Sequence, residues 1–159
     1  MIEGFSPIIG ENPKYLILGS APSVISLKQG EYYGNKQNSF WQIVSAIFNG
    51  PKLNTYQEKT KFILDNNIIL WDVVKTCSRK GSLDSEIKSV VANDLQNLID
   101  THSTIEKVIF NGKMSEKLYK RHINYYPSKI QFKSLPSSSP AYTLKVEEKL
   151  KIWKDFILN

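Results

Sequence analysis

Short apolar segments bounded by turn residues or polar loops divide the chain into predicted strands. The four clearest are residues 15–18, 68–71, 108–110 and 130–135. The first three are continuous apolar runs, as expected of parallel strands covered on both faces, and the fourth alternates apolar and polar residues. Between the strands, apolar residues recur at spacings of three and four, which predicts helices. Three such stretches are Phe40–Ile47, Leu95–Ile99 and Val146–Ile157.

Strands that alternate with helices predict right-handed crossovers and a parallel sheet with helices on both faces. With no repeat or linker in the sequence, we expect one domain over residues 1–159, a three-layer α/β/α sandwich around a mainly parallel, four-stranded sheet. In such sheets, ligands bind beyond the carboxyl ends of the strands. This rule selects four segments, namely Gly19–Ser23, Asp72–Ser82, Asn111–Lys113 and Pro136–Pro140.

The net charge of +6 is concentrated in the last third of the chain. Residues 1–112 hold 11 basic and 11 acidic side chains, whereas residues 113–159 hold 10 basic and 4 acidic ones. This bias suits a polyanion such as nucleic acid, although lysines that merely solvate two terminal helices would give the same count. No apolar run exceeds four residues and Cys77 is the only cysteine. We therefore expect a cytoplasmic protein without a disulfide or a membrane segment. We also expect a monomer, although the sequence does not determine the oligomeric state.

Cofactor and metal motifs are absent from the sequence. The turn Gly19–Ser23 lacks the three spaced glycines of a dinucleotide fingerprint and the Gly-Lys-Ser/Thr of a phosphate loop. His102 precedes the third strand and His122 lies near a helix end, and neither has a ligand partner at useful spacing. We predict neither a cofactor nor a metal site.

Residues 32–41 combine aromatic and amide side chains next to a predicted helix. Tyr32 or Tyr33 can stack on a nucleobase, worth about 1–3 kcal/mol in single-stranded recognition, or can simply be partly buried. Asn38 precedes the helix and is equally well explained as its N-cap. Phe40 and Trp41 fall on the buried stripe and are assigned to the core.

The segment Leu135–Ala141 places three serines between two prolines, ahead of the basic terminal helix. Such a loop can approach a phosphate backbone and donate hydroxyl and amide hydrogen bonds to it. Serine- and proline-rich loops are also common surface connectors. Gly112 and Lys113 also have purely structural explanations, because Gly112 can simply permit a turn and Lys113 can simply be solvated.

Taken together, the loops resemble those of the uracil-DNA glycosylase superfamily, and most closely its hypoxanthine-DNA (deoxyinosine) glycosylase branch. The resemblance covers nearly the whole chain and rests on motifs in a fixed order. These are Leu18–Ser23, Tyr32–Tyr33 with Asn38–Trp41, Leu70–Val73 with Gly81–Ser85, Phe110–Lys113, and Leu135–Ala141.

The resemblance implies a DNA glycosylase that hydrolyses the N-glycosidic bond of a flipped base in double-stranded DNA, without metal or cofactor. Several branches of the superfamily carry a catalytic Asp or Asn in the first loop, where this chain has Ala21. In the hypoxanthine branch the catalytic asparagine matches Asn38. The implied base-binding residues are Gly19, Ser20, Ala21, Tyr33 and Asp72. The implied DNA-binding residues are Ser23, Lys113, Pro136, Ser137, Ser138, Ser139 and Pro140.

Other functions remain open at this point. Because Ala21 can neither activate nor orient water, an inactive module that only binds damaged DNA fits the same motifs. A hydrolase of free nucleosides on the same scaffold is a further alternative. Within the glycosylases, hypoxanthine is favoured, and uracil, xanthine and mismatched thymine are not distinguished by sequence.

Overall fold

Eight strands in two sheets organise the computed structural model, which describes residues 1–159. The strands are β1 (Ile2–Glu3), β2 (Ile8–Ile9), β3 (Tyr15–Gly19), β4 (Ile68–Asp72), β5 (Val74–Ser78), β6 (Lys88–Ala92), β7 (Lys107–Asn111) and β8 (Gln131–Leu135). The helices are α1 (Val24–Gln29), α2 (Phe40–Ile47), α3 (Tyr56–Asp65), α4 (Leu95–Thr101), α5 (Lys113–His122) and α6 (Val146–Leu158). A 3₁₀ turn covers Asp84–Glu86.

The central sheet has the strand order β2-β4-β3-β7-β8. The four strands predicted from sequence are its parallel members, and the two-residue strand β2 adds an antiparallel edge. Parallel registry aligns the carboxyl ends, since Gly19 pairs with Asp72 and Asn111 pairs with Leu135. The predicted mainly parallel sheet is confirmed, with five strands instead of four.

Helices cover both faces of this sheet. Neighbouring residues of β3 belong to different cores, because Ile17 packs in a cluster with Ile43 of α2 and Trp153 of α6. Leu16 packs in a second cluster that includes residues of α4 and α5. Alternate side chains of a strand point to opposite faces, so two separate cores require a covered sheet on each side. The three-layer sandwich is confirmed.

The polar and basic side chains of Thr76–Ser82 predict a loop after β4, and this prediction is wrong for residues 76–78. These residues belong to strand β5 (Val74–Ser78), which pairs with β1 and β6 in a separate three-stranded sheet. Val74 and Cys77 are buried, whereas Lys75 and Ser78 are exposed, and the pairing with β6 shifts register twice. These irregularities break the strict alternation by which a strand is recognised in sequence.

The helices begin at recognisable signals. Thr55 and Glu58 form a reciprocal capping box at the start of α3, and Ser23 accepts a hydrogen bond from the Ser26 amide at the start of α1.

None of the six helices has the length and apolar character needed to cross a membrane.

The connections that leave β3 and β7 run to opposite faces of the sheet. The chain after β3 forms α2, which packs in the core shared with α6, and the chain after β7 forms α5, which packs in the other core. Adjacent strands whose connections diverge leave a crevice at their carboxyl ends, and ligands bind there in open α/β sheets. The crevice is the position of the candidate site.

Truncating either face of β3 should therefore destabilise the protein. Leu16→Ala and Ile17→Ala each empty a fully buried position, so each should lower the free energy of unfolding by about 2–5 kcal/mol. Urea denaturation measures both values. As a control, Lys88→Ala at an exposed position of β6 should change it by less than about 0.5 kcal/mol. A near-neutral effect at Leu16 or Ile17 would contradict a sheet covered on both faces.

Candidate functional site

A cavity of about 530 Å³ opens beyond the carboxyl ends of the parallel strands. Segments far apart in the sequence line it together, and most of the predicted site residues are among them. The predicted residues that line it are Gly19, Ser20, Ala21, Ser23, Tyr33, Asn38, Asp72, Ser137, Ser138, Ser139 and Pro140. Lys113 and Pro136 do not line it. The strand-end rule thus located a single concave site.

The first loop presents free backbone amides to the cavity wall. The carbonyl groups of Gly19 and Ser20 accept hydrogen bonds from the amides of Val73 and Val74, which hold the loop against the start of β5. The amides of Ser20 and Ala21 donate no hydrogen bond within the protein. Both residues are half-buried and line the cavity, so their N–H groups are available to a ligand acceptor.

Gly19 permits the close approach of two polar side chains. A Cβ at this position would lie 2.4 Å from Asp72 Oδ1 and 2.8 Å from the Tyr33 hydroxyl. Any larger residue would displace both groups from the floor of the cavity. The close approach of Asp72 and Tyr33 therefore explains sterically why position 19 is a glycine.

Tyr33 is held rigidly in an unfavourable backbone conformation. Its φ of 52° lies in the left-handed region, which costs of order 1–3 kcal/mol for a bulky residue. One ring face stacks on Phe40, with the ring centroids 4.1 Å apart, and its hydroxyl accepts a hydrogen bond from Asn111 Nδ2. The face against Phe40 is therefore not available to a ligand, while Tyr33 lines the cavity. Strain of this kind is typical of functional sites.

Asn38 lines the cavity and directly precedes Ser39, the N-cap residue of α2, so the predicted N-cap is displaced by one position. Its Oδ1 still accepts a hydrogen bond from the Phe40 amide at 3.0 Å. An amide donor requires an acceptor, so this contact assigns the oxygen and leaves Nδ2 without a partner. The hydrogen bond to the start of the helix anchors the side chain that borders the cavity.

Asn111, at the end of β7, connects three parts of the site. Its Nδ2 donates to the Tyr33 hydroxyl at 3.1 Å and to Ser138 Oγ at 2.9 Å, and its Oδ1 accepts from the Ser138 amide at 2.9 Å. Sequence reasoning noted the Phe-Asn-Gly-Lys motif but gave this asparagine no role. The signal was available, because Asn111 is the polar residue that ends a buried strand, as Asp72 is.

The loop Pro136–Pro140 is anchored from several sides. The Ser138 carbonyl accepts hydrogen bonds from the amide and the hydroxyl of Ser39. The buried Lys149 donates to the Ser139 carbonyl, and Trp153 Nε1 donates to the Pro136 carbonyl. Gly112 allows close packing, since a Cβ there would lie 3.0 Å from Ser137 Cβ.

These anchors refine the predicted DNA contacts. Ser138 is 1% exposed and uses its hydroxyl and backbone groups internally, so its position supports a role in holding the loop and not in touching DNA. The Ser23 hydroxyl likewise caps α1. Lys113 is exposed at the start of α5, outside the cavity, in a groove shared with Lys117 and Lys120.

A second loop, residues 79–85, closes the cavity from the side of the small sheet. Ser20 Oγ donates to Asp84 Oδ1 at 2.8 Å, and the Val24 amide donates to Ser82 Oγ at 2.9 Å. Arg79 donates to the carbonyls of Pro22 and Gly81. Sequence reasoning assigned no site residue here, because polar loop residues show no periodicity that distinguishes them.

Asp72 is the buried acid of the site. It is 4% exposed, and its Oδ2 has no hydrogen-bond partner. Burial, with a further contribution from the charge of Asp84, raises the pKa of Asp72 to about 7, against a smaller opposing effect of Arg79. Burial and the nearby Asp72 also raise the pKa of Tyr33, which keeps its phenol protonated.

The sequence pattern of a known family matches nearly all of the elements that build this site. The model of the uracil DNA glycosylase superfamily matches residues 7–157. The chain belongs to the uracil DNA glycosylase superfamily.

Individual relatives within the uracil DNA glycosylase superfamily agree with this assignment. A hypoxanthine DNA glycosylase of Methanosarcina acetivorans is 39% identical over 142 residues, covering 87% of this chain and 86% of the relative. A hypoxanthine DNA glycosylase of Methanosarcina barkeri is 39% identical over 115 residues, covering 71% of this chain and 72% of the relative. The solution NMR structure of a candidate uracil DNA glycosylase from Methanosarcina acetivorans is similar with a TM-score of 0.80, at 34% identity over 96% of this chain and 94% of that one.

The buried acid of this superfamily member should make stability depend on pH. Asp72 binds its proton more tightly in the folded chain, with a pKa of about 7 against an ordinary value of 3.8. Its contribution to stability is therefore complete below pH 4 and is lost as pH rises to 7, by on the order of 4 kcal/mol. Asp72→Asn should not show this loss.

Urea denaturation of both proteins between pH 4 and pH 8 tests this expectation. The free energy of unfolding of Asp72→Asn relative to wild type should rise across the interval and level off above pH 7. Curves that stay parallel would show that Asp72 ionises normally in the folded protein.

Proposed function

We propose that this chain is a monofunctional DNA glycosylase that removes hypoxanthine from deoxyinosine in double-stranded DNA and leaves an abasic site. The observation that carries the proposal is the convergence of Tyr33, Asn38 and the free amides of Ser20 and Ala21 on one cavity. The choice of hypoxanthine rests on the names of the relatives that are 39% identical.

The cavity supplies the interactions that an extruded base requires. Flipping costs a few kcal/mol and is cheapest for a mispaired base such as hypoxanthine. The free face of Tyr33 would stack on the base, and its other face is already supported by Phe40. The amides of Ser20 and Ala21 would bind the base edge and stabilise the negative charge that develops as the base leaves. One oriented donor of this kind contributes about 3–4 kcal/mol to transition-state stabilisation.

Water is the nucleophile in this mechanism. An enzyme that also cuts the strand forms a Schiff base through an amine, and no lysine lines the cavity. Asn38 would orient the water, because Oδ1 keeps a second lone pair and Nδ2 is free. An amide is too weak to remove a proton early, so the glycosidic bond must be largely broken before water attacks.

The surface around the cavity supports binding to a duplex. Lys113, Lys117 and Lys120 share a groove on α5, and contacts between lysine and phosphate contribute affinity that falls with salt. The loop Pro136–Pro140 borders both the cavity and the C-terminal, basic third of the chain. Tyr142, which is 49% exposed at the cavity rim, offers a flat side chain where the nucleotide leaves the stack.

The proposal predicts which duplexes the protein attacks. Duplexes with a single hypoxanthine, uracil, xanthine or T:G mismatch are incubated with the protein, and strands are resolved before and after alkaline cleavage. The hypoxanthine duplex should yield a product, and only after alkali, because a monofunctional enzyme leaves the abasic strand intact.

Other outcomes identify other functions. Binding to the hypoxanthine duplex without any abasic product would indicate a module that only binds damage. Release of hypoxanthine from free deoxyinosine, unaffected by substitutions at Ser137 and Ser139, would indicate a nucleoside hydrolase. Cleavage before alkali would contradict water as the nucleophile.

Substitution of Asn38 separates its two roles. Asn38→Ser keeps a side-chain acceptor that can cap α2, so the free energy of unfolding should change by less than about 1 kcal/mol. It removes the amide that would orient water, so the excision rate should fall by at least about 100-fold. Single-turnover assays on the hypoxanthine duplex measure the rate.

Ser39→Ala is the matched control at the same helix start. It removes one hydrogen bond to the Ser138 carbonyl, and the backbone bond from the Ser39 amide to that carbonyl remains. Excision should stay within about threefold of wild type, since the loop keeps its other anchors. A folded Asn38→Ser protein with the wild-type rate would show that Asn38 only caps the helix.

A further inference from the structure

Asp84 brings a carboxylate to the wall of the cavity, and no cation of the protein pairs with it. The residue begins the 3₁₀ turn, is exposed, and takes part in neither of the two ion pairs of the protein. Its side chain makes one hydrogen bond, in which Oδ1 accepts from Ser20 Oγ at 2.8 Å. A carboxylate has two acceptor oxygens, so Oδ2 is available to a donor on a ligand.

Two further hydrogen bonds hold the loop of Asp84 against the first loop and the start of α1. The Val24 amide donates to Ser82 Oγ at 2.9 Å. The guanidinium of Arg79 donates to the Pro22 carbonyl and is thus directed away from the carboxylate. The position of the carboxylate relative to the first loop is therefore set by contacts on the loop itself and not by an ion pair.

The charge of Asp84 also reaches the floor of the cavity. Burial, and after it the charge of Asp84, raises the pKa of the Asp72 carboxyl. Burial, with smaller effects of Asp72 and Asp84, raises the pKa of the Tyr33 phenol. The carboxylate thus lies near the ring that would stack on the base and one hydrogen bond away from Ser20, whose amide would bind the base edge. This wall of the cavity offers a donor and an acceptor next to each other.

A carboxylate in this place is unfavourable for binding to DNA in general. The phosphates carry the negative charge of the duplex, so an exposed acidic side chain beside them lowers the affinity for every sequence. Specific sites often contain a group that opposes binding in general because it discriminates between ligands. The position of Asp84 is explained if the carboxylate is used to distinguish one base from another.

We propose that Asp84 selects the flipped base by accepting a hydrogen bond from its ring N–H, while the amides of Ser20 and Ala21 bind the neighbouring carbonyl. This role rests on the glycosylase function proposed above. Hypoxanthine presents a ring N–H beside a carbonyl, so it matches an acceptor beside a donor. Adenine presents a bare ring nitrogen beside an amino group. Its lone pair would face the carboxylate and its N–H would face the amides, so both contacts would be repulsive.

This hydrogen bond would contribute to selection of the base and not to cleavage of the glycosidic bond. It forms with the intact nucleotide as well as in the transition state, and such uniform binding lowers KM without raising kcat. The charge of Asp84 opposes the negative charge that develops on the departing base, which the amides of Ser20 and Ala21 would stabilise. Removal of the carboxylate should therefore weaken capture of the base without slowing the chemical step.

Two bases that differ at the ring nitrogen test this role. Duplexes carry hypoxanthine or 1-methylhypoxanthine, which keeps the carbonyl but lacks the N–H, and proteins are compared on each duplex so that the cost of extrusion cancels. Asp84→Ala should lower kcat/KM on the hypoxanthine duplex by about 10–100-fold, as expected for loss of a hydrogen bond to a charged group. The change should lie in KM, with the single-turnover rate at saturating enzyme no lower than about one third of the wild-type rate. On the methylated base kcat/KM should not fall, because there is no N–H to lose.

Binding to an undamaged duplex gives a second measurement with the opposite sign. Asp84→Ala removes a negative charge beside the phosphates, so Kd for undamaged DNA should stay the same or decrease. A variant that merely disturbed the fold would weaken both kinds of binding. Glu86→Gln removes a charge from the same 3₁₀ turn outside the cavity lining, and this control should keep the wild-type KM.

Asp84→Asn replaces Asp84→Ala if the alanine variant does not fold. Its amide oxygen can keep the hydrogen bond from Ser20, and its NH₂ group would then face the ring N–H of hypoxanthine. Two donors in contact repel each other, so KM on the hypoxanthine duplex should rise in this variant as well.

The outcomes separate the role of Asp84 from the glycosylase function. A wild-type protein that releases neither base from any duplex contradicts the function itself. An active wild type overturns the role of Asp84 if Asp84→Ala has the wild-type KM on hypoxanthine, or loses the same factor on both bases. A lower maximal rate at unchanged KM also overturns it, because Asp84 would then act in the chemical step. If neither protein releases the methylated base, KM on hypoxanthine relative to Kd for undamaged DNA decides, and a ratio equal to that of wild type overturns the role.

Discussion

The side-chain amide of Asn111 links the parts of the site that chain topology alone would leave apart. Its three hydrogen bonds tie the end of β7 to the Ser138 amide and hydroxyl and to the Tyr33 hydroxyl. The Tyr33 ring, whose backbone is left-handed, and the loop Pro136–Pro140 are thereby linked to the same strand end. The sheet brings the strand ends together, and this network connects the aromatic ring to the loop across the cavity edge, in addition to the anchors that Phe40, Ser39, Lys149 and Trp153 provide. Preorganisation of this kind lowers the entropy lost on binding.

The cavity floor contains groups that are unfavourable for the stability of the folded protein. Asp72 is buried without a partner, Tyr33 is strained, and the amides of Ser20 and Ala21 lack acceptors. The unpaired buried carboxyl and the left-handed backbone of Tyr33 each cost free energy in the folded protein. The surrounding cores supply the rigidity that keeps these groups in place, since both faces of β3 are fully buried. Groups that are unfavourable for stability are therefore concentrated at the cavity, where a rigid scaffold holds them in place.

Sequence alone predicted the parts of the fold that depend on local periodicity. The continuous apolar runs identified β3, β4 and β7, and the spacing of three and four identified α2, α4 and α6. The two-residue strands β1 and β2 and the irregular β5 have no period to detect. For the site, the strand-end rule and the family motifs selected loops that the structure brings together around one cavity. They could not show that Ser138 is buried or that Asn111 holds it, because those contacts join residues 27 positions apart.

In the proposed mechanism, Ala21 at the first-loop position where several branches carry Asp or Asn shifts the catalytic requirement from the nucleophile to the leaving group. Asn38 cannot act as a strong base, and its Oδ1 is already engaged by the Phe40 amide, so it can do little more than place a water molecule. The proposed mechanism therefore depends on easy departure of the base. In that mechanism the amides of Ser20 and Ala21, which have no acceptor in the protein, would stabilise negative charge on the leaving base. Catalysis through the leaving group would suit a purine lactam, which spreads negative charge over two fused rings.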